Sequence, residues 1–381
     1  MLRFLTAGES HGKAEIAILD GIPAGLSLSE TDIQKELDRR RLGAGRGGRG
    51  IIEKDEVQIL SGIRHGKTIG SPISMLIQNL DFANWQKTQA ELKVTNPRPG
   101  HADLAGAIKY HFDDSRNVLE RASARETVMR VAVGAICKKL LAEFEMIIAS
   151  YTIQIGKIKL ESKIQDFTEI LNVDQSDPEI RCIDEETSKR MKQAIIEATV
   201  NKDTLGGVIE IIASHVPPGL GSYVHYDRKL DGLIAQALMS IPSVKAVEIG
   251  EGIDNVSELG SKAQDEIIFK GGKIKRRTNR AGGLEGGVTN GENIIVRVFH
   301  KPISTLGNPL NTIDLKTLQP SRALVERSDI CVIPRAGVIS EAMLAFVIAK
   351  AFLEKFGSDA MDEIVNNFQQ YQKYLITKLF L

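Results

Sequence analysis

Between Ser123 and Phe144 the chain commits itself to a buried helix. Ser123-Ala124-Arg125-Glu126 has the spacing of a capping box. Behind it, Val128, Val131, Ile136, Leu140 and Phe144 keep an i, i+3/i+4 apolar stripe, predicting a helix from about Glu126 to Phe144. Such a stripe has to be covered by other elements, since packing stabilises most helices in water. The residues leading into it have a different character. Pro97–Glu126 gathers four arginines (Arg98, Arg116, Arg121, Arg125) and two histidines (His101, His111). A capped helix N-terminus beside arginines is a place for an anion. The stretch therefore points to a soluble enzyme acting on a phosphorylated, multiply anionic small molecule.

The charge balance makes any such site local. With 49 basic and 49 acidic side chains the net charge is zero, which argues against a general nucleic-acid or membrane binder. No stretch approaches ~18 uninterrupted apolar residues, and MLRFLTAGESHG turns polar too early for a signal peptide. Cys137, Cys182 and Cys331 are isolated and odd in number, so they read as reduced, buried thiols of a cytoplasmic protein.

Around the central helix, strand-like runs come both in succession and between helices. Strands are expected over Leu2–Leu5, Ala14–Leu19, Val57–Ile63, Ile73–Gln78, Met146–Ile155, Gly207–Val216, Val244–Ile249 and Asn293–His300. Further helices are expected from Ser29 to Arg41, Glu186 to Val200, Asp227 (as cap) to Met239 and Val338 to Phe356, with an amphipathic tail from Asp359. Asp81–Val94, with Trp85, reads as a surface excursion, and Leu104–Phe112 as a supporting helix with a structural His111. No repeat or linker marks a boundary. The expectation is one α+β domain over residues 1–381 rather than a doubly wound sheet.

Three familiar motifs fail in context. Gly8-Glu9-Ser10-His11-Gly12 fits a nucleophile elbow, but a strand-like run follows where a helix is required. Gly43-x-Gly45-x-x-Gly48 follows a helix rather than a strand, and Gly62–Thr68 is one residue short of a P-loop. No histidine stands at zinc-site spacing, so no metal is expected. What survives is the basic run Arg39, Arg40, Arg41, Arg46 and Arg49 among glycines, where backbone N–H groups and guanidinium forks can converge on an anion. Taken alone, residues 39–50 could equally be a solvated or RNA-binding Arg/Gly loop. His11 and His101, each in a glycine-flanked turn near arginines, are candidates for acid–base work. Asp329 is either a loop carboxylate or a base.

Several blocks of the chain resemble one family, chorismate synthase. They are Ala7–Gly12, Pro23-Ala24-Gly25, Arg39-Arg40 through Gly47, Ser61–Gly66 with Gly70–Ile73, Arg98–Asp103 and Arg121–Glu126. The C-terminal half adds Gly221-Ser222-Tyr223, Asp227, Ala237–Ile241, Gly282–Gly287, Lys301–Thr305 and Glu326–Asp329. The resemblance implies a reduced-FMN-dependent 1,4-elimination of phosphate from 5-enolpyruvylshikimate 3-phosphate to give chorismate, without net redox change. It implies catalytic roles for His11 (protonating the leaving phosphate), His101 (against the flavin) and Asp329 (with flavin N5, taking the C6 proton). Substrate would meet Arg40, Arg46, Arg49, Arg125 and Arg335. FMN would meet Arg121, Ala122, Ser123, Pro242, Ser243, Gly286, Lys301, Pro302, Ile303, Ser304, Thr305 and Arg327.

Three of these positions depart from the family. Ala122 replaces a common serine, and Pro242-Ser243 replaces a common Asn-Ala pair, removing a side-chain amide and an N–H. The family fold is a β-α-β sandwich with antiparallel sheets around central helices, assembled as a homotetramer. Although the family is linked with NADP, no nicotinamide signature survives here, so an external flavin reductase is the expected supplier. An RNA- or phosphate-binding module and a true FMN oxidoreductase are the alternatives.

Overall fold

The structure, a computed structural model, describes residues 1–47, 53–88, 93–161 and 166–379. It is a mixture of helices and antiparallel sheets. Strands β1 (Arg3–Ala7), β2 (Ala14–Asp20), β3 (Val57–Ile59) and β4 (Ile73–Gln78) form one sheet in the order β1-β2-β4-β3. Strands β5 (Ile147–Ile155), β6 (Ile158–Lys159), β7 (Gly207–Ser214), β8 (Val244–Ile249) and β9 (Ile294–His300) form a second, ordered β8-β9-β7-β5-β6. Every pairing in both sheets is antiparallel. In β2, Glu15, Ala17 and Leu19 point inward while Ile18 faces out, the alternation of a sheet with one covered face.

The helices that frame the sheets and the site are α1 (Glu30–Arg41), α2 (Phe82–Thr88), α3 (Asp103–Tyr110), α4 (Arg116–Arg121), α5 (Thr127–Ala142), α6 (Glu185–Val200), α7 (Leu230–Met239), α8 (Ile333–Phe356) and α9 (Met361–Tyr374). α5 packs on α8 and α1, and touches β2 of the first sheet as well as β5 of the second. α8 lies on β5 and β7, and is apolar nearly all round because it is buried nearly all round. At the α5–α8 crossing, a Cβ on Gly134 would lie 2.2 Å from the Cβ of Ala342, so only glycine allows this approach. One contiguous cluster of buried apolar side chains runs from Leu2 to Phe368.

Among the buried carboxylates, one lies on the central helix α8. Glu341 of α8 is fully covered and accepts from Arg39 (2.7 and 3.0 Å), Lys138 (2.8 Å), Arg181 (3.1 Å) and the Ser150 hydroxyl (2.6 Å). Burial alone would raise its pKa, but the charges of Arg39, Lys138 and Arg181 hold it well below the carboxylate range.

Most expected elements are present, with four corrections. Residues 82–88 form a helix, and Trp85 is buried rather than on a surface excursion. Helix α8 starts five residues before Val338, with Pro334 in its first turn, a position proline tolerates because the N–H there has no helical partner. Val57–Ile63 is not one strand, since β3 stops at Ile59 and Ile63-Arg64 pairs with Lys67-Thr68 in a separate hairpin. Asp227 does not cap α7; it sits in a 3-10 turn against His225 Nδ1 at 2.8 Å.

Candidate active site

One cavity of about 510 Å³ opens where the helix layer meets the loops. Its wall is drawn from segments far apart in the chain, including the β1–β2 turn, the C-terminal turn of α1, the approach to α5, the residues after β9 and the N-terminal turns of α8. Most of the site residues singled out from the sequence meet there.

His11 occupies the turn between β1 and β2. Its Nδ1 lies 2.9 and 3.1 Å from the two carboxylate oxygens of Glu120, and its backbone N–H donates to the same group at 2.7 Å. The carboxylate can only accept, so Nδ1 carries the hydrogen. The imidazole stacks on Trp85 with ring centroids 3.7 Å apart and planes 16° from parallel. Burial alone would raise the Glu120 pKa, but hydrogen bonds and charge from His11 outweigh it and hold the group below its ordinary value.

His101 is fixed in the same way. Its Nδ1 lies 2.5 Å from Asp103, a fully buried carboxylate that also accepts from Arg98 Nε (2.8 Å), Nη2 (3.0 Å) and N–H (3.1 Å). Against the cost of burial, His101 and Arg98 hold Asp103 well below the carboxylate range. Arg98 is anchored at its far end on the Thr305 hydroxyl, 2.8 Å away. Gly100, at φ +79°, lies so close to Lys301 that a Cβ would stand 3.0 Å from its Nζ.

The arginines converge. Arg40, 7% exposed, reaches Asp55 at 3.3 Å and the Thr127 hydroxyl at 3.0 Å. Arg125 donates to the other oxygen of Asp55 and to Asn79 at 2.9 Å. Burial, helped by Arg335 and Arg125 and opposed by Asp55, brings the Arg40 pKa down to about 10. Arg46 is lowered by burial and by Arg335. Asp329 binds Arg335 at 2.8 Å through one oxygen and the Gly47 N–H at 2.7 Å through the other. Arg40 Nε, Arg125 Nη2 and Arg335 Nη2 are buried without a hydrogen-bond partner among the described residues. Buried donors of that kind call for a ligand's oxygens. Arg39 is half-buried and Arg40 buried, and both are paired, so they are not a solvated stripe for RNA.

At the other end, Ala122, Ser123, Pro242, Ser243, Lys301, Ile303, Ser304, Thr305 and Arg327 line the wall. Lys301 Nζ donates to the Gly100 carbonyl at 2.5 Å. Ser243 has φ +72° and bonds His300 Nδ1 at 2.9 Å. Burial pushes the His300 pKa down to about 4. Ser123 caps a single 3-10 turn by accepting from the Arg125 N–H at 3.2 Å, not the helix itself. Arg121, Gly286 and Pro302 are not in the wall; Arg121 is exposed and donates to Thr6 and to the Gly8 carbonyl. Arg49 lies outside the described residues.

Sequence reasoning passed over Glu53, Asp55 and Glu120, named Arg98 only among four gathered arginines, and put Trp85 on a surface excursion. Each works through a partner, and the one usable signal was the unusual placing of Glu120 between Arg116 and Arg121.

The family model described as chorismate synthase matches residues 2–353. A chorismate synthase of Syntrophotalea carbinolica is 50% identical over 382 residues, covering 98% of both chains. One of Geobacillus thermodenitrificans is 49% identical over 385 residues, covering 98% of this chain and 99% of the relative. Among solved structures, a crystal structure of chorismate synthase superposes with a TM-score of 0.80 at 43% identity over 98% of both chains.

Proposed function

This chain belongs to the chorismate synthase family, and we propose that its cavity is where 5-enolpyruvylshikimate 3-phosphate loses phosphate from C3 and hydrogen from C6 to become chorismate. The enzyme is a lyase of the shikimate pathway. The observation that carries the site assignment is that Arg40, Arg125 and Arg335 all line this cavity and each keeps a buried N–H without a hydrogen-bond partner among the described residues, Arg125 Nη2 having only a 3.8 Å ion pair with Glu53. A substrate with two carboxylates and a phosphate of about −2 supplies those acceptors. Arg46, in the same wall, joins the seat.

The wall also fits FMN. Ile241, Pro242 and Ile303 give it an apolar side for a flat ring, while Ser123, Ser304, Thr305, Lys301 and Arg327 put donors along the rim. Bound in reduced form, FMN would supply electron density as phosphate leaves and recover it as the C6 hydrogen departs. The protein's own part is proton handling. His11 Nε2 delivers a proton to the leaving phosphate, and Asp329 takes the C6 proton, so the bonds broken at C3 and C6 leave a new double bond and no net redox change. His101, held by Asp103, would stand beside the cofactor and stabilise its anionic form. Such chemistry calls for the site to close over the bound cofactor, to keep oxygen and water out.

We read residues 1–381 as a single β-α-β sandwich that assembles as a tetramer. Arg121 and Gly286, both exposed, would then meet cofactor across a subunit boundary. Three free, buried thiols suit the cytoplasm, and a separate reductase supplies the reduced flavin. Anaerobic turnover of the substrate with chemically reduced FMN, followed as chorismate absorbance and released phosphate, tests the reading. Folded protein that gives neither product ends it.

A further inference from the structure

We propose that Glu120 and Trp85 are positioning residues for His11, fixing both its tautomer and its ring plane so that Nε2 is the nitrogen that gives up the proton. This rests on the reading of His11 as the acid that protonates the leaving phosphate.

Three elements meet at this ring. The β1–β2 turn brings His11, and α4 brings Glu120, which holds the side chain through Nδ1 and the backbone through its N–H. The Ser10 N–H donates to the Glu120 carbonyl at 2.8 Å, so turn and helix are tied by main chain as well. From α2, Trp85 covers one face of the imidazole at 3.7 Å. Arg116 lies 5.0 Å from the Trp85 ring and 2.8 Å from Glu326, close to Arg327 and Asp329 in sequence. His11 and Glu120 are 10% and 15% exposed in their side chains.

The carboxylate acts on the ring in two ways. It holds the neutral imidazole as the Nδ1–H tautomer, so the proton gained and lost is the one on Nε2, and it stabilises the ring once charged. An indole face also favours the charged ring, since its quadrupole is negative above the plane. Arg116, 3.9 Å from Glu120, tempers the carboxylate and keeps it from rotating away. A ring that must donate at one fixed point has little use for rotational freedom.

Glu120→Gln keeps the shape and removes the charge. We expect kcat to fall about tenfold to a hundredfold, as for other partners that orient a reacting group, with KM for substrate unchanged within about threefold. The pH above which turnover declines moves downward, because the protonated ring has lost its carboxylate. Trp85→Leu lowers kcat similarly, and Trp85→Phe restores most of it. In a His11→Ala background, Glu120→Gln has no further effect.

A readout independent of turnover is the ring 15N shifts of labelled histidine in the ligand-free protein, expected to show hydrogen on Nδ1 at neutral ring charge. Hydrogen on Nε2 overturns the proposal, as does wild-type kcat in folded Glu120→Gln or an additive loss in the double variant. Wild-type turnover in His11→Ala would instead remove the underlying role of His11, leaving the tautomer measurement to judge the geometry.

Discussion

Asp329 and Arg335 are joined by a 2.8 Å ion pair at the mouth of α8, which puts the proposed base and one substrate arginine in a single unit. The second oxygen of Asp329 is held by the Gly47 N–H. In the proposed reading, substrate would meet a base that is already held in place. Asp329→Asn is expected to lower kcat by about 10²–10⁴, the usual range for a lost general base. Deuterium at C6 should then slow the variant more than the wild type, since C6–H cleavage becomes limiting. Arg335→Gln should act mainly on KM. An unchanged isotope effect in Asp329→Asn would assign the proton to another group.

Asp55 is the shared counter-ion of Arg40 and Arg125. Removing it leaves two buried guanidinium groups facing each other, a change that in buried pairs costs about 3–5 kcal/mol. Asp55→Asn should melt at a lower temperature, and inorganic phosphate should raise that melting point more than it raises the wild type's. Equal phosphate shifts in the two proteins would show that the arginines do not share one anion seat.

Asp103 has a folded pKa well below its unfolded one, so its contribution is present at neutral pH and disappears as pH falls toward strong acid. Asp103→Asn should lose about 3–5 kcal/mol near pH 7 by stranding Arg98. The gap should narrow below about pH 4 as the wild type protonates. Denaturant melts at several pH values read this directly, and a gap independent of pH counts against the assignment.

Glu15 behaves in the opposite sense. It is 1% exposed, its Oε2 has no hydrogen-bond partner among the described residues, and burial, opposed by Arg125 and Arg121, raises its pKa from 4.5 to about 7. A carboxyl raised on folding stabilises least once it must ionise, so wild-type stability is intact below about pH 4.5 and declines as pH rises through 7. Relative to wild type, Glu15→Gln should gain at most about 3 kcal/mol at about pH 8 and nothing at about pH 4. Parallel stability curves would refute this.

The elements legible in the sequence are those whose periodicity is local. Helix α5 carries its stripe along its own 16 residues and β4 its pattern within six, and both lie where expected. The site residues that could be named were those with chemistry of their own: histidines in glycine turns, arginines among glycines and an aspartate before an apolar run. Asp55, Glu120 and Trp85 escaped for a different reason. Asp55 is 15 residues from Arg40 and 70 from Arg125, and Glu120 is 109 from His11, so nothing in linear spacing announces them. The start of α8 was missed because Asp329, Pro334 and Arg335 look like loop until the proline is read as a first-turn residue.

The absent side chain of Gly134 has a consequence beyond close packing. Arg125 and Thr127 stand just before or at the start of α5, Arg335 at the start of α8, and the two helices touch at Gly134 and Ala342, about two turns further in. That contact is a fulcrum, and the arginines are the tips of the arms. A single methyl group added there would pry the tips apart and widen the gap that a phosphate or carboxylate has to bridge. The calibre of the anion seat is thus machined in the dry interior, at a residue that no ligand ever meets.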